Sequence, residues 1–375
     1  MDNIKRHTIN RAIVKDFQMP IKVFDFFSGA GGSAKGFQNA GLQVVFATDN
    51  DPDAAKTFKA NFRKRIFHER DIAELTVEEL KTSLKAYSKH PILFSACAPC
   101  QPFTKQNTQR KSNDVRKKLL DEFCRFVVAC HPDLIFVENV PGLQKLDDVK
   151  GPFATLLGSL NKEGYKYTYK IISARDYGVP QKRRRLILLA SLLGPISFPA
   201  KTHGPGTDHT KYSTVGDWIG DLPSINAGEC HPSLSNHRAA SLSPINLERI
   251  QATPEGGSRR AWSANLQLSC HSGEYVGHSD VYGRMSWDKP ASGLTTRCIS
   301  LSNGRFGHPE QDRAISVREA ACLQTFPRDF VFYGSLNSMA RQIGNALPVL
   351  LAERFGQHFI DHVNAYVREA FRAQV

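Results

Sequence analysis

Between Ile21 and Ala190, short apolar runs alternate with helical stretches, and this alternation constrains the fold of the 375-residue chain more than any other feature. Ile21–Phe27, Gln43–Thr48, Ile66–Ile72, Pro91–Ala96, Asp133–Glu138, Tyr165–Ile172 and Arg185–Ala190 read as strands. Ser33–Ala40, Pro52–Phe62, Val77–Ser88, Val115–Cys130 and Phe153–Lys162 read as helices between them. The runs are apolar throughout, as in strands covered on both faces, and βαβ repetition requires crossovers. The expected class is α/β, with a doubly wound, mostly parallel, Rossmann-like sheet. Ligands of such sheets bind beyond the carboxyl ends of the strands. Asp25 to Gly32, Asp49, Asp71, Cys100 and Glu138 all fall at such ends, so one crevice is expected to collect them.

The first strand runs into Gly29-x-Gly31-x-x-Ala34, and Asp49 follows 20 positions beyond Gly29 at the end of the second strand. Glycine lets a ligand approach the backbone closely, and a carboxylate there can accept hydrogen bonds from both ribose hydroxyls. The unit therefore predicts a nucleotide-type cofactor, and taken alone it would allow a nicotinamide-dependent oxidoreductase. Cys100 ends the fourth strand and is followed by a polar, basic segment, 101–118, placing it like a nucleophile beneath a cationic loop.

Charge location points to the partner. The formal net charge is +13, yet residues 194–330 hold 13 Lys+Arg against 13 Asp+Glu. Residues 1–193 hold 32 against 20, with +5 concentrated in 101–118 and +4 in Lys182–Arg185. Cations gathered beside a candidate nucleophile favour a nucleic acid over general solubility. No run of about 18 apolar residues predicts a membrane helix. The first 20 residues lack the apolar core of a secretory signal, so eight free thiols in a reducing compartment are expected.

From Gly194 the character changes. Residues 194–330 carry 14 of the 27 glycines, 10 of the 20 prolines and all three tryptophans. The expected organisation is a catalytic and cofactor-binding domain at 1–193 and a smaller loop- and strand-rich domain at 194–330. A helical segment at 331–375 is expected to return to the first domain. Cys97-x-x-Cys100, Cys230-His231 and Cys270-His271 have suggestive spacings, but none assembles a full ligand set, and no metal is expected.

These stretches together resemble the C5-cytosine-specific DNA methyltransferase family, in its bacterial restriction-modification form. The blocks are Asp25-Phe-Phe-Ser-Gly-Ala-Gly-Gly32, Pro99-Cys100-Gln101, Glu138-Asn139-Val140, Gln181-x-Arg183-x-Arg185, Arg318 to Pro327 and Gln342-Ile-Gly-Asn345-Ala-Leu-Pro348, in that order. The resemblance implies S-adenosylmethionine as methyl donor, with Phe27, Gly29, Ala30, Gly31, Gly32, Asp49, Asp71, Ile72 and Asn345 around it. It implies that Cys100 attacks carbon 6 of a flipped cytosine in duplex DNA. Glu138 would serve ring nitrogen 3 as a protonated carboxyl, and Arg183 and Arg185 would grip the base and a phosphate or hold Glu138. Gln101, Lys105, Gln106, Asn107 and Gln181 are expected on the DNA, and residues 195–330 to read the sequence. A bulky ring-stacking residue is common in the family where this chain has Asn50, so Asn50 is not expected in the site. The implied setting is the bacterial cytoplasm, as a monomer beside an endonuclease recognising the same site. A transfer-RNA methyltransferase on the same scaffold and a catalytically dead DNA-binding paralogue remain open as alternatives.

Overall fold

The computed structural model describes residues 19–63, 66–98, 119–143, 151–268 and 280–372. The first half runs β1 (Lys22–Phe26), α1 (Gly32–Asn39), β2 (Gln43–Asp49), α2 (Pro52–Asn61), β3 (Phe67–Glu69), α3 (Val77–Lys85) and β4 (Ile92–Ala96). It continues through α4 (Leu119–Cys130), β5 (Leu134–Asn139), α5 (Pro152–Lys162), β6 (Lys166–Ser173) and β7 (Arg184–Ser191). Beyond the sheet lie α6 (Val215–Ile219), α7 (Pro244–Gln251), α8 (Val317–Leu323), α9 (Leu336–Asn345) and α10 (Val349–Arg372).

The seven strands form one sheet in the order β3-β2-β1-β4-β5-β7-β6. Neighbouring pairs from β3 to β5 are parallel, whereas β7 is antiparallel to both β5 and β6. The link from β6 to β7 is a 3-10 turn at Ala174–Tyr177 rather than a crossover helix, so the chain reverses direction there. The third strand is shorter than expected: it stops at Glu69, because Asp71 caps a 3-10 turn at Ile72–Glu74 by accepting from Ala73 N–H.

Every residue of β1, β4 and β5 is buried, which is why these strands read as unbroken apolar runs. Alternate side chains point to opposite layers. Phe24, Phe26, Phe94, Ile135 and Val137 meet Phe123 and Phe126 of α4 and Leu156 of α5. Val23, Leu93, Leu134 and Phe136 meet Phe37 of α1 and Leu351, Phe355 and Phe359 of α10. Helix α10 thus covers the sheet face opposite α4 and α5.

Residues 194–330 depart from expectation in one respect. The short strands anticipated there appear, among the described residues, only as single bridges such as Cys230↔Arg238 and Arg284↔Gly307. Buried arginines satisfy the carbonyls that a ladder would have paired. Arg284 donates to the carbonyls of Ile250, Thr253, His308 and Gln311 at 2.6–2.9 Å. Arg318 reaches those of Ser235 and Phe330, both at 2.8 Å. Arg313, fully buried, grips Glu319 with two bonds of 2.7 Å and also donates to the Ile225 carbonyl. His308 beside this pair is buried, which lowers its pKa to about 4 and keeps it neutral.

Candidate functional site

The carboxyl ends of β1, β2, β4 and β5 lie side by side at one end of the sheet. Among them Asp25, fully buried on β1, accepts at Oδ2 from Ser33 Oγ on α1 at 2.7 Å. Burial is the main cause that raises its pKa to about 7, only partly offset by the Ser33 and Ser95 hydroxyls, and Asp49 adds to the rise. Beyond β1 the chain turns sharply through Phe27, with φ of 56°, and Gly29, with φ of 52°. Asp49, at the end of β2, fastens the turn: its Oδ2 accepts from Gly29 N–H at 2.8 Å and its Oδ1 from Asp51 N–H at 3.0 Å. Burial raises the Asp49 pKa against these two bonds.

The glycines divide their labour. A side chain at Gly29 would meet nothing within 4 Å, so the turn faces open space there. A Cβ at Gly31 would strike the Phe62 ring, and one at Gly32 would lie 2.5 Å from the Leu347 carbonyl. Ala30 is buried in the core formed by residues 215–349. The whole turn was expected to line a ligand, but of its glycines only Gly29 faces open space, and Phe27 packs in part against the core beneath α4. Ala30, Gly31 and Gly32 let α2 and the residues before α10 close upon it.

The far rim contains a residue that sequence reasoning set aside. Asn50 Nδ2 donates to Asp71 Oδ2 at 3.1 Å, while Asp71 Oδ1 accepts from Ala73 N–H at 2.9 Å. The Asp71 carboxylate is therefore held at both oxygens, with Ile72 buried beside it. The signal was available, because β2 and β3 are adjacent and their ends must face each other.

On the opposite side, Glu138 is 5% exposed at the end of β5, and Arg185 Nε lies 2.5 Å from its Oε1. Asn139 Nδ2 donates to the Ala98 carbonyl at 3.2 Å, tying the end of β5 to the segment after β4. Cys97 on that segment has its thiol pKa pushed well up, first by burial and then by the nearby Glu138 and Asp25 carboxylates. Cys100, two residues beyond Ala98 in sequence, lies outside the described residues, as do Gln101, Lys105, Gln106 and Asn107.

Two expectations for the basic block are corrected. Gln181 was expected on DNA, but it is fully buried: Nε2 donates to the Leu323 carbonyl and to Gln324 Oε1, and Oε1 accepts from Leu294 N–H. Arg183 was expected to hold base, phosphate or Glu138. Its two terminal nitrogens instead donate to the carbonyls of Leu294 at 2.7 Å and Gly344 at 2.8 Å. Burial first, then Arg185, lower the Arg183 pKa to about 9. Strand alternation explains the split of Lys182–Arg185: Lys182 and Arg184 are exposed, while Arg183 and Arg185 turn inward. Asn345 ends α9 on the exposed surface. Among the described residues no three His, Cys, Asp or Glu side chains gather as metal ligands.

The family model for C-5 cytosine-specific DNA methylases matches residues 21–361. The type II methylase M.HgiDII of Herpetosiphon aurantiacus is 42% identical over 337 residues, covering 88% of this chain and 92% of that protein. The type II methyltransferase M1.HphI of Haemophilus parahaemolyticus is 33% identical over 342 residues, covering 90% and 86%. The solved structure of a putative DNA modification methyltransferase from an E. coli prophage aligns with a TM-score of 0.72 at 24% identity, over 92% of this chain and 99% of that one. S. pombe Dnmt2 aligns at 0.58 and 17% identity, over 92% and 100%. At these identities the two structures speak to the fold.

Proposed function

This chain belongs to the C-5 cytosine-specific DNA methylase family, and we propose that it methylates carbon 5 of a flipped cytosine within a specific duplex sequence. It works through a covalent bond between Cys100 and carbon 6, as the protective half of a type II restriction-modification system. The observation that carries this reading is the Glu138–Arg185 pair at the end of β5, bound through Asn139 to the segment leading into Pro99-Cys100-Gln101.

Carbon 5 of cytosine is too weak a nucleophile to take a methyl group unaided. The Cys100 thiolate adds its electron pair to carbon 6, and the displaced ring electrons make carbon 5 nucleophilic. Glu138 donates a proton or a hydrogen bond to ring nitrogen 3, drawing off the charge that builds there as the thiolate adds. Arg185 stands beside Oε1 as an ion-pair partner, which leaves Oε2 for the base. After transfer, loss of the carbon 5 proton restores the ring double bond and expels the thiolate. The cytosine has to leave the helix first, because carbon 6 is inaccessible in a stacked duplex.

S-adenosylmethionine supplies the electrophilic methyl group when bound. The residues fit it: Gly29 faces open space, Asp49 lies beside the turn, and Asp71 presents a fixed carboxylate at the other rim. We assign Phe27 and Gly29 to the methionine end, Asp49 to the ribose hydroxyls, Asp71 and Ile72 to the adenine, and Asn345 to the neighbourhood of the cofactor. Residues 1–193 form the catalytic domain, 194–330 read the target, and 331–375 return to the sheet. Gln101, Lys105, Gln106 and Asn107 follow the nucleophile onto the DNA. The enzyme acts as a monomer in the bacterial cytoplasm, where an endonuclease recognising the same site would be its genetic partner. Among the described residues no helix is long and apolar enough to cross a membrane.

The test is transfer of labelled methyl groups to duplex DNA, with covalent trapping on DNA containing 5-fluorocytosine. Cys100→Ala should abolish both. Labelling of transfer RNA alone would overturn the DNA reading in favour of the transfer-RNA branch, and absence of an adduct would leave only binding.

A further inference from the structure

Residues 194–330 contain ten arginines, and the structure engages most of them internally. Arg249, Arg284, Arg313 and Arg318 are held by carbonyls or buried side chains. Arg305 pairs with Asp280 and Arg328 with Asp221, and Arg259 is partnered as well. Arg238, Arg260 and Arg297 differ: each is exposed and has no side-chain partner among the described residues. In a region with as many acids as bases, an arginine left unpaired is a free donor fork, suited to phosphate or to a guanine edge.

One of the three, Arg297, stands on a segment anchored to the catalytic block. The segment before Arg297 is clamped by the catalytic block: Leu294 O accepts from Arg183, and Gly293 packs against the Arg183 backbone. Gly344, the residue before Asn345, is small enough to let the Thr295 carbonyl rest on it. On the other side, buried Cys298 donates through Sγ to the Ala340 carbonyl of α9. The turn itself is closed by Cys298 N–H to Thr295 O and Ser300 N–H to Arg297 O, both 3.1 Å. Arg183 stands two residues from Arg185, which grips Glu138, so the base of Arg297 is fixed relative to the catalytic carboxylate. Arg238 is bonded instead to the start of α8, and Arg260 to the Ser258 turn.

We propose that Arg297 is a DNA-contacting residue, holding the duplex beside the flipped cytosine through its unpaired guanidinium. The assignment rests on the DNA-methylating reading above. The backbone on either side of it is already held through Leu294, Thr295 and Cys298, so only the side chain has to be ordered when the fork closes on DNA.

The test measures binding of the full chain to a duplex carrying its methylation site, located by bisulfite sequencing, across a salt series with S-adenosylhomocysteine present. Arg297→Ala should weaken binding about tenfold or more. Melting temperature and S-adenosylhomocysteine affinity should be unchanged, and Arg238→Ala and Arg260→Ala should lose less. If Arg297→Lys keeps most of the affinity and the loss is equal on unrelated duplexes, the contact is a phosphate. If Lys fails as Ala does, and only on the methylated site, the contact is a base edge. Both outcomes support the assignment, and wild-type affinity in Arg297→Ala overturns it. A wild-type protein that binds no duplex at all would overturn the DNA reading itself, and the assignment with it.

Discussion

The sheet and residues 194–330 solve the same problem, satisfying buried backbone, by opposite means. In the sheet, ladders pair the amides and carbonyls, so charged side chains are free to gather at strand ends, where Asp25, Asp49 and Glu138 stand. In 194–330 there are bridges rather than ladders among the described residues, and arginine forks replace them. The same residue type therefore means different things in the two regions. An arginine beside a strand end is a candidate for chemistry, whereas one in the loops is structural unless shown free. Arg183 sits on the boundary: it belongs to the block that grips Glu138, yet it behaves as a staple.

The largest expected effect breaks the comparison on the sheet side. Glu138→Gln should lower methyl transfer by roughly 10²–10⁴-fold, the range of a lost proton donor or acceptor. Its melting temperature should stay close to wild type, since the ladder carries the strand. A large fall in melting temperature instead would mean that Glu138 is a structural ion-pair partner. The loop side should show the reverse. Arg313→Met leaves Glu319 buried without its partner and should cost about 3–5 kcal/mol in a urea titration. Activity per folded molecule should fall far less. A change under about 1 kcal/mol would show that the forks are not what holds this region together.

What could be read from the sequence follows the same division. Strands buried on both faces produce apolar runs, and polar residues that end them stand out, so the sheet and Asp49 and Glu138 were visible. Gln181 and Arg183 were misread because their partners, Leu294, Leu323 and Gly344, lie more than 100 residues away and leave no local pattern. The bridges of 194–330 were misread as strands for a related reason. The arginines that replace the ladder are indistinguishable, residue by residue, from surface cations. Asn50 was left out for lacking a ring, although topology alone would bring it to Asp71.

A smaller effect concerns a buried acid that no arginine accompanies. Asp25 faces the Ser33 hydroxyl from α1, the Ser95 hydroxyl from β4 and the Asp49 carboxylate from β2. Its pKa is raised from 3.8 to about 7 in the folded chain, so between these values the folded state keeps a proton that the unfolded state has lost. Its contribution is therefore most favourable at low pH and falls as pH rises through that window, by up to ~1.4 kcal/mol per pH unit. Asp25→Asn holds no such proton. The difference in urea midpoint between variant and wild type should move in the variant's favour from pH 5 to pH 8. A constant difference would mean that Asp25 ionises normally, with a counter-charge in reach.

The smallest effect asks whether exposed polar contacts at strand ends do more than decorate the rim. Asn50 donates to Asp71, the carboxylate proposed above to receive the adenine of the cofactor. Removing the amide leaves the carboxylate held only by Ala73 N–H, so Asn50→Ala should weaken S-adenosylhomocysteine binding by roughly 1 kcal/mol, about fivefold. The inosine analogue has a carbonyl where adenine has the amine and gains nothing from an oriented carboxylate. Its affinity should hardly change, so the variant should discriminate less between the two ligands. Calorimetry with both separates the cases: equal losses would point to a disturbed turn, and a selective loss to Asn50 acting through Asp71. Asn50→Asp, which replaces the donor with a second negative charge, should be worse than alanine if the hydrogen bond is what orients the carboxylate.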